Sequence, residues 1–85
     1  MRMEIQISDY SPQRGLETEW EDGFVISLEP VNGAILLRAN AAGLTSLARH
    51  FLTLAQATVP AGSHIHYDDS NSLETGSREL IIEKM

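Results

Sequence analysis

The sequence predicts an α+β fold: a two-layer sandwich in which one amphipathic helix packs on one face of an antiparallel sheet of four to five strands, in the order β-ββ-α-ββ. Three observations predict it. Short segments with period-two alternation lie on both sides of one segment with a helical period. An Asn-Gly pair joins two of the short segments. The chain has 85 residues and no cysteine, so we expect a single domain over residues 1–85 without disulfides.

The first half of the chain predicts three strands. Residues 3–8 alternate between apolar and polar side chains and form the first. Residues 9–22 break any simple period and form a loop. Residues 24–29 and 34–39 are the next two strands, and the turn at residues 30–33 makes them a hairpin.

One helix and two further strands are predicted in the second half. Asn40 is a good N-cap for a helix over residues 41–57, which Pro60 stops. Apolar residues recur along it at spacings of three and four, namely Leu44, Leu47, Ala48, Phe51, Leu54 and Ala55. The last two strands are a histidine-containing segment over residues 62–69 and a segment over residues 78–84.

The apolar stripe of the helix is expected to pack on the apolar face of the sheet. That face would carry Ile5, Ile7, Phe24, Ile26, Leu28, Ile65, Tyr67, Leu80 and Ile82. The opposite sheet face stays uncovered and would carry Glu4, Gln6, Val25, Ser27, Glu29, His64, His66, Asp68, Glu79, Ile81 and Glu83.

Charge and hydropathy exclude several classes of ligand. The net charge of −6 opposes binding to the phosphate backbone of nucleic acids and favours encounter with basic proteins. No segment reaches the ~18 apolar residues of a membrane span, and the amino-terminal residues do not resemble a signal peptide. We therefore expect a cytoplasmic protein with no membrane or nucleic-acid partner.

The histidine-containing strand has two interpretations. Alternation places His64, His66 and Asp68 on one side, where two imidazoles and a carboxylate could form part of a metal site. The same residues are also ordinary polar side chains on a solvated, partner-binding face, and the short pattern favours this second interpretation. No glycine-framed nucleophile is present, so no catalytic residue is predicted.

A run of acidic residues surrounds the only tryptophan. Glu17, Glu19 and Glu21 alternate around Trp20. One interpretation is a docking patch with an aromatic anchor, since tryptophan is favoured at binding hot spots. The other is a solvated edge in which the tryptophan covers the margin of the core.

Three stretches of the chain resemble a known family. They are Asn40-x-x-Gly43-Leu44-x-x-Leu47-Ala48 with Leu52-x-Leu54-Ala55, then Gly62-x-His64-x-His66-x-Asp68, then Leu73-Glu74-x-Gly76-Ser77-x-Glu79-Leu80-Ile81-Ile82. In combination they resemble the immunity protein 32 family of bacterial polymorphic-toxin systems. The resemblance implies a small cytoplasmic α+β protein that binds and neutralises a cognate toxin, and we expect no enzymatic activity and no cofactor. The residues that match its polar motif are the interface candidates His64, His66, Asp68, Glu74 and Glu79.

Three functions follow as hypotheses. The first is a toxin-binding immunity protein whose acidic open face and acidic loop occlude a basic toxin domain. The second is a metal-binding module or metal-dependent enzyme built on His64 and His66. The third is a subunit that self-associates, for example as a homodimer, and gains stability by doing so.

Overall fold

The computed structural model describes all residues from Met1 to Met85. The elements are β1 (Ile26–Val31), β2 (Ala34–Ala39), α1 (Ala41–Ala55), β3 (His64–Tyr67) and β4 (Leu80–Glu83). The α+β class with one helix is confirmed, but the single sheet of four to five strands is wrong. The four strands form two separate antiparallel pairs, β1 with β2 and β3 with β4. The helix is neither long nor apolar enough to span a membrane.

The predicted hairpin is present, with a tight turn between its strands. Val31 pairs with Ala34, so the loop contains only Asn32 and Gly33. Both loop residues have positive φ, 50° and 81°, as a two-residue turn of this type requires. The Asn-Gly pair therefore sets the register of β1 and β2, which runs from this turn to the pair Ile26 and Ala39.

The two strand pairs are connected by the segment before β4, which runs beside β1. Glu74 N donates to Ile26 O at 2.9 Å. Arg78 N donates to Leu28 O at 2.8 Å, and Ser77 Oγ accepts from Leu28 N at 3.2 Å. Glu74 and Arg78 are four residues apart in their segment, whereas their partners Ile26 and Leu28 are two residues apart in β1. The hydrogen bonds therefore do not form a continuous ladder. This bulged contact explains why a single sheet is not formed.

The predicted first strand, residues 3–8, is wrong. No strand lies before β1, although the segment that follows residue 8 still satisfies backbone groups. The Gln56 side chain donates to Ser8 O and accepts from Tyr10 N, both at 3.1 Å. A side-chain amide at the end of the helix thus replaces the neighbouring strand that the alternation predicted. The alternating Ile5 and Ile7 are only half-buried.

Asn40 starts the helix as predicted and also fixes the chain ahead of β1. Its Oδ1 accepts from Gly43 N at 2.8 Å and from Val25 N at 3.0 Å. Its Nδ2 donates to Gly23 O at 2.8 Å. One cap therefore satisfies a free N–H of the first turn and joins the helix to the segment ahead of β1.

The helix ends at Ala55, two residues before the predicted end. Gln56 leaves the helical conformation with φ −57° and ψ 139°. Lys84 then reaches across from the carboxyl side of β4, and its Nζ donates to Gln56 O at 2.7 Å and Val59 O at 2.8 Å. A lysine at this end satisfies free carbonyls and complements the helix dipole.

The face of the helix that is buried differs from the predicted one. Leu47 and Leu54 are buried as predicted, but Leu44 and Phe51 are 54% and 44% exposed and Ala55 is exposed. The buried residues of the helix are Gly43, Ser46, Leu47, His50, Thr53 and Leu54. This face is rotated away from the apolar stripe, because the helix must also contact the irregular segment before β1, whose backbone groups need polar partners.

The core follows the prediction in part, mainly on the strands, and it includes Leu73, which was not predicted. Five buried residues form its centre, namely Ile26, Leu28, Leu47, Tyr67 and Leu73. The predicted core residues Phe24, Ile65, Leu80 and Ile82 are half-buried and pack against this centre. On β3, Ile65 and Tyr67 point inward while His64 and His66 are exposed, as alternation requires.

We predict that Gly43→Ala destabilises the protein although alanine is the better helix former. A Cβ at this position would lie 2.8 Å from Ile26 Cγ1, 2.8 Å from Val25 O and 3.1 Å from Ala39 Cβ. Helix propensity alone would add about 1 kcal/mol of stability. Overpacking against a backbone carbonyl costs more, so urea denaturation should show a net loss of about 1 to 2 kcal/mol. A gain in stability would contradict the close approach of helix and hairpin.

A matched pair of leucine truncations tests the corrected helix face. Leu47 is 4% exposed, so Leu47→Ala should lower the free energy of unfolding by about 2 to 5 kcal/mol. Leu44→Ala makes the same chemical change at a residue that is 54% exposed, and should cost about 0.5 kcal/mol in dilute solution. Chemical denaturation measures both values. Equal losses would show that the helix is rotated from the position described.

Candidate partner-binding site

A buried histidine connects the helix to β3 and to the segment before β1. His50 Nε2 lies 2.7 Å from Glu19 O, and because a carbonyl only accepts, Nε2 carries the proton. Nδ1 then accepts from the Tyr67 hydroxyl at 2.9 Å. Burial raises the pKa of Tyr67 to about 12, so its hydroxyl keeps the donated proton. The neutral imidazole has both nitrogens satisfied in this arrangement.

Trp20 packs against the same histidine. Its ring stacks on Phe24 with centroids 4.2 Å apart and meets His50 edge-on at 4.4 Å. The tryptophan is half-buried and covers the margin of the core. This packing supports the interpretation in which Trp20 covers the margin of the core. A partner could then contact only the outer edge of its ring.

The acidic loop, defined as residues 17–21, is held against the helix by Arg49, and Arg14 pairs with it from the preceding turn. Arg49 contacts Glu21 at 2.5 Å and Glu19 at 3.4 Å, and Arg14 contacts Glu17 at 2.6 Å. The three carboxylates remain 38% to 55% exposed. Their charge is therefore accessible to a partner but largely balanced by neighbouring guanidinium groups.

The exposed side of β3 and β4 forms what we call the histidine face. It consists of His64, His66, Glu79, Ile81 and Glu83. The rings of His64 and His66 have centroids 4.9 Å apart, and His66 Nδ1 lies 3.5 Å from Glu79 Oε2. His64 pairs with Glu83 and His66 with Ile81 across the strands. Two imidazoles are thus flanked by two carboxylates and one exposed isoleucine.

Asp68 does not extend the histidine face, which corrects its placement beside His64 and His66. The strand ends at Tyr67, and Asp68 begins a turn in which its carboxylate accepts from Ser70 N at 2.9 Å and from Ser70 Oγ at 2.8 Å. These hydrogen bonds lower the pKa of Asp68. Its carbonyl also accepts from Leu73 N at 2.8 Å, which returns the chain to the core. Asp68 shapes the loop after β3.

The alternative interpretation of a metal site finds no third ligand. Asp68 turns toward Ser70, and no three histidine, aspartate or glutamate side chains lie together in a way that could hold a metal ion. Four ligands, or three with an open position, are what zinc sites use. The arrangement of His64 and His66 therefore offers no support for the metal hypothesis.

Glu74 lies on a different part of the surface from the histidine face. It is exposed and lines an open groove of about 400 Å³ beside β1 and β2. The other lining residues are Val25, Ser27, Arg38, Ala39 and Asn40. The five residues that the family resemblance singled out are thus divided among a face, a turn and a groove.

The acidic loop and β3 meet at a small cleft. It has a volume of about 160 Å³ and is lined by Thr18, Trp20, Ile65, His66, Tyr67, Asn71 and Ser72. Residues 18 and 20 come from the acidic loop, while residues 65–67 belong to β3. The structure therefore brings together two surfaces whose lining residues are 45 or more positions apart in sequence.

Sequence reasoning missed the polar residues that hold these surfaces in place. Ser46 and His50 are fully buried, and Ser46 Oγ accepts from Glu21 N at 2.8 Å. Together with Thr53 they recur at spacings of four and three, the same helical spacing as the apolar stripe. The helical spacing of these three residues is the one sequence signal for a second buried side of the helix. Polar side chains at such a spacing normally indicate the side of a helix that faces solvent, so the signal points to the wrong environment.

The molecule is a small α+β protein with an exposed polar sheet face next to a half-buried acidic loop. The family model of immunity protein 32 matches residues 34–85, and the chain belongs to the immunity protein 32 family. The match includes the histidine face and excludes the acidic loop. Membership implies a protein partner, and proteins of this family are generally non-enzymatic. No curated protein and no solved structure matches the chain.

The stability of the protein should depend on pH through His50. Burial lowers the pKa of His50 below its ordinary value of 6.5, and the charge of Arg49 adds to this while the hydrogen bond to Glu19 opposes it. The unfolded chain therefore takes up this proton first. The free energy of unfolding should be at its full value above pH 6.5 and decrease as the pH falls below it, toward the folded-state pKa.

Thermal denaturation between neutral and mildly acidic pH measures this dependence. His50→Gln keeps polar groups at the site without a titrating one, so its loss of stability over the same interval should be smaller. NMR titration of the His50 ring in the unchanged protein is a second measurement. A titration midpoint at or above 6.5 would contradict the neutral buried state.

Proposed function

We propose that this protein is an immunity protein that binds a cognate bacterial toxin in the cytoplasm and neutralises it through the histidine face. The observation that carries the proposal is the exposure of this face within the segment that the family model matches. His64 and His66 project from β3 into solvent, and neither is needed for the core. Residues that are exposed on a rigid strand and do not stabilise the fold are suited to recognition.

The charges of the surface favour a basic partner at the histidine face rather than at the acidic loop. Glu79 has only His66 as an ionic partner, and no arginine or lysine contacts Glu83. The carboxylates of the acidic loop, by contrast, already contact Arg14 and Arg49. A cationic surface of the toxin therefore gains more from approaching Glu79 and Glu83, and the acidic loop contributes at the rim.

The histidine face also has the composition of a contact surface. Ile81 is 50% exposed at its centre and is surrounded by side chains that donate and accept hydrogen bonds. An apolar centre with a polar rim is the usual arrangement of protein interfaces. Binding of a basic toxin domain here would neutralise it by covering its own cationic substrate-binding surface.

Charge reversal on the histidine face should weaken toxin binding. The probe is the toxin domain recovered by pull-down with this protein as bait, with affinity measured by calorimetry at low and moderate salt. Glu79→Lys and Glu83→Lys should each raise the dissociation constant about tenfold or more and reduce its salt dependence. The melting temperature should stay close to that of the unchanged protein, because both residues are exposed.

Glu4→Lys is the matched control, since Glu4 is also exposed and has no ionic partner but lies outside the histidine face. It makes the same charge change and should leave the affinity close to its original value. His66→Ala separately tests the contact without altering the carboxylates. Unchanged affinity in Glu79→Lys, Glu83→Lys and His66→Ala would exclude the histidine face as the toxin-binding surface.

A further inference from the structure

One side of the helix is apolar and faces solvent. Leu44, Phe51 and Leu52 are 54%, 44% and 47% exposed. Ala41 and Ala55 are exposed between and beside them, and Ala48 is half-buried. We call these six residues the outer helix stripe. It contains no charged or polar side chain, on a chain whose net charge is −6.

Neither of the surfaces that pack on the helix covers the outer helix stripe. The strands cover the side of Leu47, which lies in the core with Ile26, Leu28 and Tyr67, and Leu54 is also buried. The segment before β1 covers a second side through Ser46 and His50, and Arg49 turns toward that segment to contact Glu21. A solvent-facing helix normally carries charged residues on its outer side. The lack of any here indicates a surface that another protein covers.

We propose that the outer helix stripe binds the same stripe of a second copy of this chain, as an antiparallel helix pair around a two-fold axis at Ala48. Apart from Phe51, whose mirror position is Thr45, side-chain size along the stripe is symmetric about this residue. Leu44 and Leu52 lie four residues on either side of it, and Ala41 and Ala55 lie seven residues on either side. In an antiparallel pair, Leu44 of each copy therefore lies opposite Leu52 of the other, and alanine meets alanine at the centre and the ends.

Charge favours a second copy over the basic partner that the histidine face would bind. The outer helix stripe has no carboxylate to attract a cationic protein. Two copies of a protein with a charge of −6 repel each other, so they associate most easily through a surface without charge. The helix packs on the sheet face opposite to His64 and His66, so a dimer of this kind leaves the histidine face free.

The helix pair should be reversible rather than permanent. The helix has 15 residues, which corresponds to a contact of about 22 Å in length. This is a small interface compared with those of obligate dimers. The oligomeric state should therefore change with concentration, and the melting temperature should rise with concentration as well.

Sedimentation equilibrium over about a hundredfold range of concentration tests the proposal. The unchanged protein should shift from monomer to dimer. Leu44→Lys should raise the dimer dissociation constant at least tenfold, and Leu52→Glu should do the same. The double variant Leu44→Lys with Leu52→Glu should restore the dimer. The positive charge at position 44 of each copy then lies opposite the negative charge at position 52 of the other, which gives two ion pairs related by the two-fold axis. Within one helix the two new charges are two turns apart and do not compensate each other.

Ile81→Lys is the matched control. Ile81 is 50% exposed, as Leu44 is 54% exposed, but it lies on the histidine face. This variant should dimerise like the unchanged protein, and circular dichroism should show that all variants are folded. The proposal is overturned if the unchanged protein is a monomer at every concentration, if Leu44→Lys still dimerises, or if the double variant stays monomeric. Equal loss of the dimer in Ile81→Lys would also overturn it.

Discussion

Burial of His50 is the constraint on which the rest of the structure depends. Its two ring nitrogens hold the Glu19 carbonyl and the Tyr67 hydroxyl, so one side chain joins the helix to the segment before β1 and to β3. An unsatisfied nitrogen at this depth would cost about 1 to 3 kcal/mol, a large part of the stability of a domain this small. The helix must therefore turn its polar side inward. The exposure of Leu44 and Phe51 is a consequence of that rotation.

The local features of the fold could be predicted from single residues. Asn32 and Gly33 indicate a two-residue turn because both must adopt positive φ, and Asn40 indicates a helix start because its side chain accepts from a free N–H. Such signals depend only on neighbours in sequence. The prediction of a first strand over residues 3–8 was wrong because a strand depends on a partner that is distant in sequence. Its alternation is real, but a strand needs a hydrogen-bonded neighbour, and at the end of this segment Ser8 O and Tyr10 N bind the side chain of Gln56 instead.

In the candidate site, too, features set by local backbone geometry could be predicted and features set by contacts between distant residues could not. Alternation on β3 correctly exposes His64 and His66, since it follows from backbone geometry alone. The position of Asp68 could not be predicted, because its carboxylate is captured by Ser70 and the strand ends one residue earlier. The ion pair between Glu21 and Arg49 could not be predicted from the sequence either. It joins residues 28 positions apart whose approach depends on how the helix is rotated.

The position of His50 has an evolutionary consequence. The family model begins at Ala34, so it includes the helix and Tyr67 but not the Glu19 carbonyl or β1. Ser46 and His50 on the inner side of the helix thus have partners that lie outside the matched residues. In relatives whose amino-terminal segment differs in length or course, we expect positions 46 and 50 to change together, with apolar residues wherever no backbone group needs a partner. Sequence divergence in the amino-terminal segment would then change which side chains are buried on the inner side of the helix.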